Sequence, residues 1–161
     1  MLHKIETKQH LNASLATVWD FISSPKNLSV ITPSKMNFRI ISKTGEVEKM
    51  FPGQIIEYYI SPVLDVRLHW VTEITHVKEN YYFVDEQRKG PYAFWHHKHF
   101  IKEVDGGIEM TDIVHYQLPF GFLGRLVNSI FVKKQLEQAV VAAGLGEQIE
   151  IRSVGCMGFC G

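Results

Sequence analysis

An excess of either charge, cysteine in the body of the chain and long apolar runs are all absent from this sequence. Lys and Arg total 17, as do Asp and Glu, so no charge surplus steers the chain to nucleic acid or anionic lipid. The two cysteines, Cys156 and Cys160, stand close to the C-terminal end, which excludes a disulfide framework in the body of the chain. No apolar run approaches the ~20 residues that cross a bilayer. The opening MLHKIETKQH has no apolar signal segment, so a cytoplasmic location is the default expectation.

What the chain does contain fits one globular domain. Its 161 residues can bury a real core, and the hydrophobic fraction of 45% and charged fraction of 21% are ordinary. The eight histidines carry any change of charge near neutral pH.

The first fifth of the chain predicts a strand and two short helices. Residues Lys4 to Leu11 alternate weakly, as a strand does. Asn12 or Ser14 can cap a helix over Leu15 to Ile22, whose apolar residues fall on one face. Prolines on both sides limit Asn27 to Ile31 to a short second helix.

The middle of the chain predicts strand after strand, followed by one long helix. Short turns separate the strands and therefore force antiparallel neighbours. Pro119 and Gly121 end this pattern, and a helical period runs from Phe122 to about Ala143. The predicted fold is α+β, with a curved antiparallel sheet of six to seven strands around the long C-terminal helix. The strands are expected at Phe38–Thr44, Gln54–Ser61, Asp65–Val77, Tyr81–Arg88, Phe94–Val104 and Ile108–Leu118.

Three stretches resemble a known family: LNASLATVWDFISSPKNLSVITP, GPYAFWHHKHFI and MTDIVHYQLPFGFLGRLVNSIFVKKQLEQ. They are similar to the START/Bet v 1-like (SRPBCC) superfamily, and most similar to small bacterial proteins labelled cyclase/dehydrase-like or cell-division-inhibitor-like. The resemblance covers roughly residues 3 to 140. It implies a helix-grip fold with an internal, mainly apolar pocket. It does not imply a reaction, because one fold hosts many functions.

The predicted function is binding of a small hydrophobic molecule, such as a lipid, polyketide or aromatic metabolite, between the sheet and the C-terminal helix. Alternation predicts that Trp95, His97 and His99 share one face of their strand, and that Asp112 and Tyr116 share a face of the next. Polar members of this set would orient a polar group of the ligand; alternatively, they face solvent or satisfy one another in a polar core. The predicted ligand-binding residues are Trp70, Trp95, His97, His99, Asp112, Tyr116, Leu123, Leu126 and Ile130.

Two other functions stay open. A cyclase- or dehydrase-type enzyme would use His97, His99, Asp112 or Tyr116 as acid and base, although no G-x-S-x-G motif or other catalytic set assigns a catalytic residue. A regulatory interaction protein is the third possibility, with an unknown protein partner.

The histidine spacing does not favour a zinc site. His97 and His99 stand two apart, and the nearest third candidates, His69 and His115, belong to other strands of uncertain face. No metal and no cofactor are therefore expected.

The C-terminal tail differs from the rest of the chain. GLGEQIEIRSVGCMGFCG resembles part of a thioredoxin-like [2Fe–2S] ferredoxin, in which Cys156 and Cys160 match a C-x-x-x-C pair. Such a cluster needs four cysteine ligands and the chain has two, so an intact cluster is not expected. The predicted division is a ligand-binding domain over residues 1–143 and an appended tail over residues 144–161.

Overall fold

A computed structural model describes residues 1–32, 34–43, 47–61, 66–119 and 149–152, the last range as backbone only. The helix expected from Phe122 to Ala143, with Leu123, Leu126 and Ile130, lies outside these residues. Cys156 and Cys160 lie outside them as well. The fold is therefore described through its sheet and its N-terminal helices.

One curved antiparallel sheet organises the described chain. Its spatial order is β2-β3-β4-β5-β6-β7-β1-β8, so the first strand lies between β7 and β8. Seven strands precede residue 120, as predicted, and β8 adds to the edge by pairing with β1. The strands are β1 (His3–Leu11), β2 (Arg39–Ile40), β3 (Gln54–Ile60), β4 (Leu68–Lys78), β5 (Tyr82–Lys89), β6 (Phe94–Val104), β7 (Gly107–Gln117) and β8 (Ile149–Arg152).

The strand predicted over Phe38–Thr44 is wrong in length, since β2 holds only Arg39 and Ile40. The amides of Ile41 and Ser42 both donate to the carbonyl oxygen of Glu57, so the regular ladder ends there. A β-rich composition predicted the strand but could not show this irregular pairing.

Two short helices follow β1, as the sequence predicts. Helix α1 (Leu15–Ile22) begins where Ser14 Oγ accepts a hydrogen bond from the amide of Thr17, at 3.2 Å. A single 3-10 turn at Pro25–Asn27 leads into α2 (Leu28–Ile31). None of the helices in the described ranges is long and apolar enough to cross a bilayer.

The inner face of the sheet carries two separate apolar clusters. The α1 cluster lies under helix α1 and comprises Val18, Trp19, Met50, Ile56, Ile74, Phe83, Ile101 and Ile108. The Tyr116 cluster comprises Ile5, Val114 and Tyr116, with Tyr92, Trp95 and Leu118 packed against it. Strands β5, β6 and β7 run through the space between the two clusters, and the side chains there are polar.

The turn between β6 and β7 sets the register of these two strands. Val104 pairs with Gly107, and the pairing then continues without a shift to Phe94 opposite Gln117. Gly106 and Gly107 have φ angles of 82° and 152°, which side chains rarely adopt. A Cβ on Gly107 would also lie 2.2 Å from the carbonyl oxygen of Leu11, at the end of β1. A one-residue slip here would move every β6 side chain to the other face.

Replacing Gly107 with alanine should therefore destabilise the sheet more than the same change at Gly53. Gly53 also has a positive φ, of 84°, but a Cβ there meets no atom within 4 Å. Gly53→Ala should lower the free energy of unfolding by about 1 kcal/mol, which is the conformational strain alone. Gly107→Ala should lower the free energy of unfolding by at least about 2 kcal/mol, because the backbones of β7 and β1 must also separate. Urea denaturation of the two variants compares them, and equal losses would contradict the close approach at Gly107.

Candidate functional site

Two aspartates and two histidines meet on the inner face between the two apolar clusters. We call Asp85, His97, His99 and Asp112 the His–Asp cluster. Asp85 of β5 stands directly opposite His97 of β6, and Asp112 of β7 stands directly opposite His99. Side chains opposite one another on antiparallel strands have Cβ atoms about 4.5–5.5 Å apart, so each pair is within contact distance. The register of three neighbouring strands thus assembles the cluster.

Each imidazole of the cluster faces both carboxylates. His99 Nε2 lies 3.0 Å from Asp85 Oδ2, and His99 Nδ1 lies 2.6 Å from Asp112 Oδ1. His97 Nδ1 lies 3.5 Å from Asp85 Oδ2, and His97 Nε2 lies 3.3 Å from Asp112 Oδ1. The two ring centroids are 3.7 Å apart. Asp85 and Asp112 therefore bracket a closely spaced pair of imidazoles.

The cluster is largely buried and incompletely hydrogen-bonded. The exposed fraction is 16% for the His97 side chain, 14% for Asp85 and 5% for Asp112. The contact of His99 with Asp85 is a hydrogen bond, whereas His97 Nε2, His99 Nδ1 and Asp112 Oδ1 lack one with good geometry. Buried polar atoms are normally satisfied, so three such atoms at one place need an explanation.

The contacts displace the pKa values of three cluster members. Burial disfavours the imidazolium of His99, but its contacts with Asp112 and Asp85 outweigh burial and raise its pKa to about 9. Burial also disfavours the carboxylates, but His97 and His99 hold the pKa of Asp112 well below its usual range. The pKa of Asp85 is lowered in the same way, against burial and chiefly by His99. Mutual attraction of opposite charges thus dominates the electrostatics of the cluster.

A group of aromatic side chains adjoins the cluster. We call Tyr58, Trp70, Tyr92, Trp95 and Tyr116 the aromatic wall. Trp70 and Trp95 meet edge to face with ring centroids 5.5 Å apart, and Tyr92 packs 4.8 Å from Trp95. Trp95 is also 6.0 Å from His97, so the wall and the His–Asp cluster are continuous.

Two polar groups help to define the aromatic wall. The side-chain amide of Gln87 donates to the carbonyl oxygen of Tyr92 at 2.7 Å and accepts from its amide at 3.2 Å, which fixes the loop before β6. The indole Nε1 of Trp70 is buried and has no hydrogen-bond partner among the described residues. It is an unused donor within an otherwise apolar surface.

The structure places six of the nine predicted ligand-binding residues on this inner face. Trp70, Trp95, His97, His99, Asp112 and Tyr116 all point inward, while Leu123, Leu126 and Ile130 lie outside the described residues. Tyr116 stands opposite Trp95 and contacts Tyr92 and His3, so it belongs to the aromatic wall rather than to the His–Asp cluster. Whether these residues bind a ligand stays a prediction.

Sequence reasoning missed Asp85. The signal was present in the alternation of β5, since Phe83 and Asp85 occupy the same face and Phe83 is core. Aspartate is depleted in strands, so an Asp between Val84 and Glu86 is itself a signal of a functional candidate.

Asp85, His97 and His99 also form a group that could hold a metal ion. One ligand atom from each lies within 4.8 Å of the other two. His69 and His115, the third ligands considered from the sequence, lie elsewhere: His69 contacts Glu57 at 3.1 Å, and His115 lies beside His96 on the outer face. The third ligand of this candidate metal site is therefore the Asp85 carboxylate rather than a third histidine.

Comparison with known proteins shows the fold. Protein Ms6760 from Mycobacterium smegmatis matches with a TM-score of 0.64 at 15% identity, over 87% of each chain. TTHA0849 from Thermus thermophilus matches with a TM-score of 0.68 at 11% identity, over 87% of this chain and 90% of that one. The crystal structure of Ara h 8.0201 matches with a TM-score of 0.61 at 13% identity, over 89% of this chain and 95% of that one. This is the START/Bet v 1 fold. No protein-family profile and no curated protein sequence matches the chain.

The displaced pKa values predict how stability depends on pH in chelator-treated protein. The pKa of His99 lies above its unfolded value of about 6.5, so its contribution is complete below pH ~6.5 and is lost as the pH rises through about 9. The lowered pKa values of Asp85 and Asp112 contribute above pH ~4 and are lost in acid. Stability should therefore be greatest between about pH 4 and 6.5.

Asp112→Asn should reduce the loss of stability at alkaline pH by on the order of 2 kcal/mol, because His99 loses its closest carboxylate. The matched control is Glu86→Gln, which removes the neighbouring carboxylate of β5 on the outer face, beside His96. Urea denaturation between pH 4 and 9 measures the free energy of unfolding of both variants. An alkaline decline in Asp112→Asn as steep as in the wild type would contradict the contact.

Proposed function

We propose that the chain binds a small hydrophobic molecule on the inner face of the sheet, with the His–Asp cluster as a polar anchor and without catalysing a reaction. The observation that carries the proposal is the continuity of the aromatic wall with the cluster, through the contact of Trp95 with His97. Ligand sites are mostly apolar and carry a few placed polar groups, which is the composition seen here.

The aromatic wall indicates the kind of ligand. Trp70 meets Trp95 and Tyr92 in edge contacts, at interplanar angles of 89° and 62°, and stacks with Tyr58 at 15°. This continuous aromatic surface suits a flat or chain-like apolar group. The free indole N–H of Trp70 can donate to a hydroxyl or carbonyl oxygen of that ligand. We therefore propose a lipid, polyketide or aromatic metabolite with at least one oxygen.

The fold supports the same function. Bet v 1-like proteins are generally ligand-binding proteins. Membership of the cyclase/dehydrase-like bacterial subgroup stays a proposal that rests on the sequence resemblance.

Several parts of this proposal are sequence predictions that the described residues do not test. Leu123, Leu126 and Ile130 are the proposed opposite wall, contributed by the predicted C-terminal helix. The division at residue 143, the ferredoxin-like tail and the cytoplasmic location stay predictions. The backbone of β8 pairs with β1, so part of the proposed tail belongs to the sheet.

An acid–base enzyme of the cyclase or dehydrase kind is the second candidate. It is favoured by the convergence of titratable side chains in the His–Asp cluster, because acid–base chemistry uses groups within hydrogen-bond reach of one another. Tyr116, which stands opposite Trp95, is a less suitable acid because it lies in the aromatic wall.

Replacing the tryptophans one at a time should locate the ligand. The chain has three: Trp70 and Trp95 lie in the aromatic wall, and Trp19 lies in the α1 cluster. A fluorescent apolar probe should bind the wild type in a one-to-one ratio, and Trp95→Ala should weaken it about 2–10-fold through loss of aromatic contact. Energy transfer to the probe should fall in Trp70→Phe and Trp95→Phe but persist in Trp19→Phe, the matched control. Transfer that depends on Trp19 alone would move the binding site to the α1 end.

Mass spectrometry should separate binding from chemistry. The protein purified from its own host under native conditions should retain its ligand, which is then identified and returned to ligand-free protein. Release of the ligand with unchanged mass and unchanged chromatographic retention, by the wild type and by His99→Phe alike, is the expected result, because ring closure without loss of water alters retention but not mass. A product lighter by one water that the wild type forms and His99→Phe does not would establish a dehydrase instead.

A further inference from the structure

We infer that Asp85, His97 and His99 bind a divalent first-row transition-metal ion on the inner face of the sheet. The inference departs from the sequence expectation of no metal, because the third ligand is a carboxylate from β5 rather than another histidine. It goes beyond the proposed function, since the ion needs no organic ligand in order to bind.

The three ligand atoms have suitable spacing. Asp85 Oδ2 lies 3.0 Å from His99 Nε2 and 3.5 Å from His97 Nδ1. Ligand atoms at tetrahedral positions, about 2.0–2.1 Å from zinc, stand about 3.3 Å from one another. The two separations from Asp85 Oδ2 lie on either side of that value, and one ligand atom from each residue lies within 4.8 Å of the other two, so side-chain movements can bring the set to tetrahedral spacing.

Asp112 occupies the position of a supporting carboxylate. When His97 binds through Nδ1 and His99 through Nε2, their protons lie on His97 Nε2 and His99 Nδ1. These are the two nitrogens that Asp112 Oδ1 faces, at 3.3 and 2.6 Å. Metal-binding histidines commonly donate their second N–H to a carboxylate, which fixes the tautomer and the ring orientation.

The buried atoms without hydrogen bonds support the same assignment independently of the spacing. Asp112 Oδ1, His97 Nε2 and His99 Nδ1 are buried and lack a well-directed hydrogen bond, and the Asp112 side chain is only 5% exposed. Coordination on the Asp85 side would place protons on both nitrogens, where they could be donated to Asp112. Metal coordination nearby is one of the recognised explanations for buried polar atoms of this kind.

Charge balance points to a divalent cation. Imidazoles that bind an ion are neutral, so in the ion-loaded cluster no imidazolium balances the two buried carboxylates. Within the described ranges the ion-pair partners of these carboxylates include no lysine or arginine. Uncompensated buried carboxylates are costly, and one divalent ion cancels both charges. Two imidazoles with a carboxylate suit Zn²⁺ and its neighbours, and three protein ligands leave a fourth coordination position open.

Zinc titration tests the inference on the full-length chain carrying Cys156→Ser and Cys160→Ser, so that the thiols of the tail do not compete. Calorimetry of the chelator-treated protein should show one saturable Zn²⁺ per chain. Asp85→Asn, His97→Gln and His99→Gln should abolish this binding, and Asp112→Asn should weaken it about 10–100-fold as a supporting residue. His96→Gln and His115→Gln are the matched controls, because they remove histidines from the outer face of the same two strands.

Histidine ¹⁵N spectra of the zinc-loaded protein, which need no replacement in the cluster, give a second readout. They should show His97 protonated at Nε2 and His99 protonated at Nδ1. Absence of saturable binding, binding that survives Asp85→Asn, binding lost in His96→Gln or His115→Gln, or the opposite tautomers would each overturn the inference. Circular dichroism of each variant separates loss of the ligand from loss of the fold.

Discussion

The pairing of β6 with both of its neighbours determines which groups can reach His97 and His99. Because strand side chains alternate, these histidines face inward only while Trp95 and Ile101 do so too. The ladder to β7 sets His99 opposite Asp112, and the ladder to β5 sets His97 opposite Asp85. Burial of Ile101 in the α1 cluster penalises the register in which the four polar groups would separate.

Stability alone does not explain the His–Asp cluster. Apolar clusters lie on both sides of it, so four titratable side chains occupy space that apolar residues could fill. A buried ion pair often contributes less to stability than well-packed apolar residues of similar volume. Strongly displaced pKa values in a cleft are typical of functional sites, although structural ion pairs produce them as well. A role in binding accounts for the cluster better than stability does.

The sequence predicted which residues of a strand share a face, but neither which face is the inner one nor the full membership of the cluster. Period alone groups Trp95 with His97 and His99 on β6, and Asp112 with Tyr116 on β7. In β5 the run Asp85, Glu86, Gln87, Arg88 is polar on both faces, so the alternation that places Asp85 on the face of Phe83 stands out only weakly.

Register was the second obstacle to prediction. Strand β4 pairs with β5 through two irregularities, one between Val71 and Thr72 and one between Ile74 and His76, which no count along the sequence reveals. The partner of a strand residue depends on such shifts, whereas its face depends mainly on parity. Which residues of one strand share a face was therefore predictable, whereas contact between strands was not, except across the short turn at Asp105-Gly106-Gly107.

The order of side chains along β6 relates the two proposals to one another. From its N-terminal end, one face of β6 carries Trp95, His97, His99 and Ile101 in that order. Aromatic surface is therefore followed by the polar pair and then by apolar core. A ligand that packs on Trp95 therefore meets the His–Asp cluster at one end, whether that cluster holds protons or a metal ion. A bound ion would present its open coordination position to an oxygen of the ligand, whereas protonated imidazoles would donate hydrogen bonds to it. In either state the same geometry would orient the proposed ligand, with its polar group toward His97 and its apolar part along the aromatic wall.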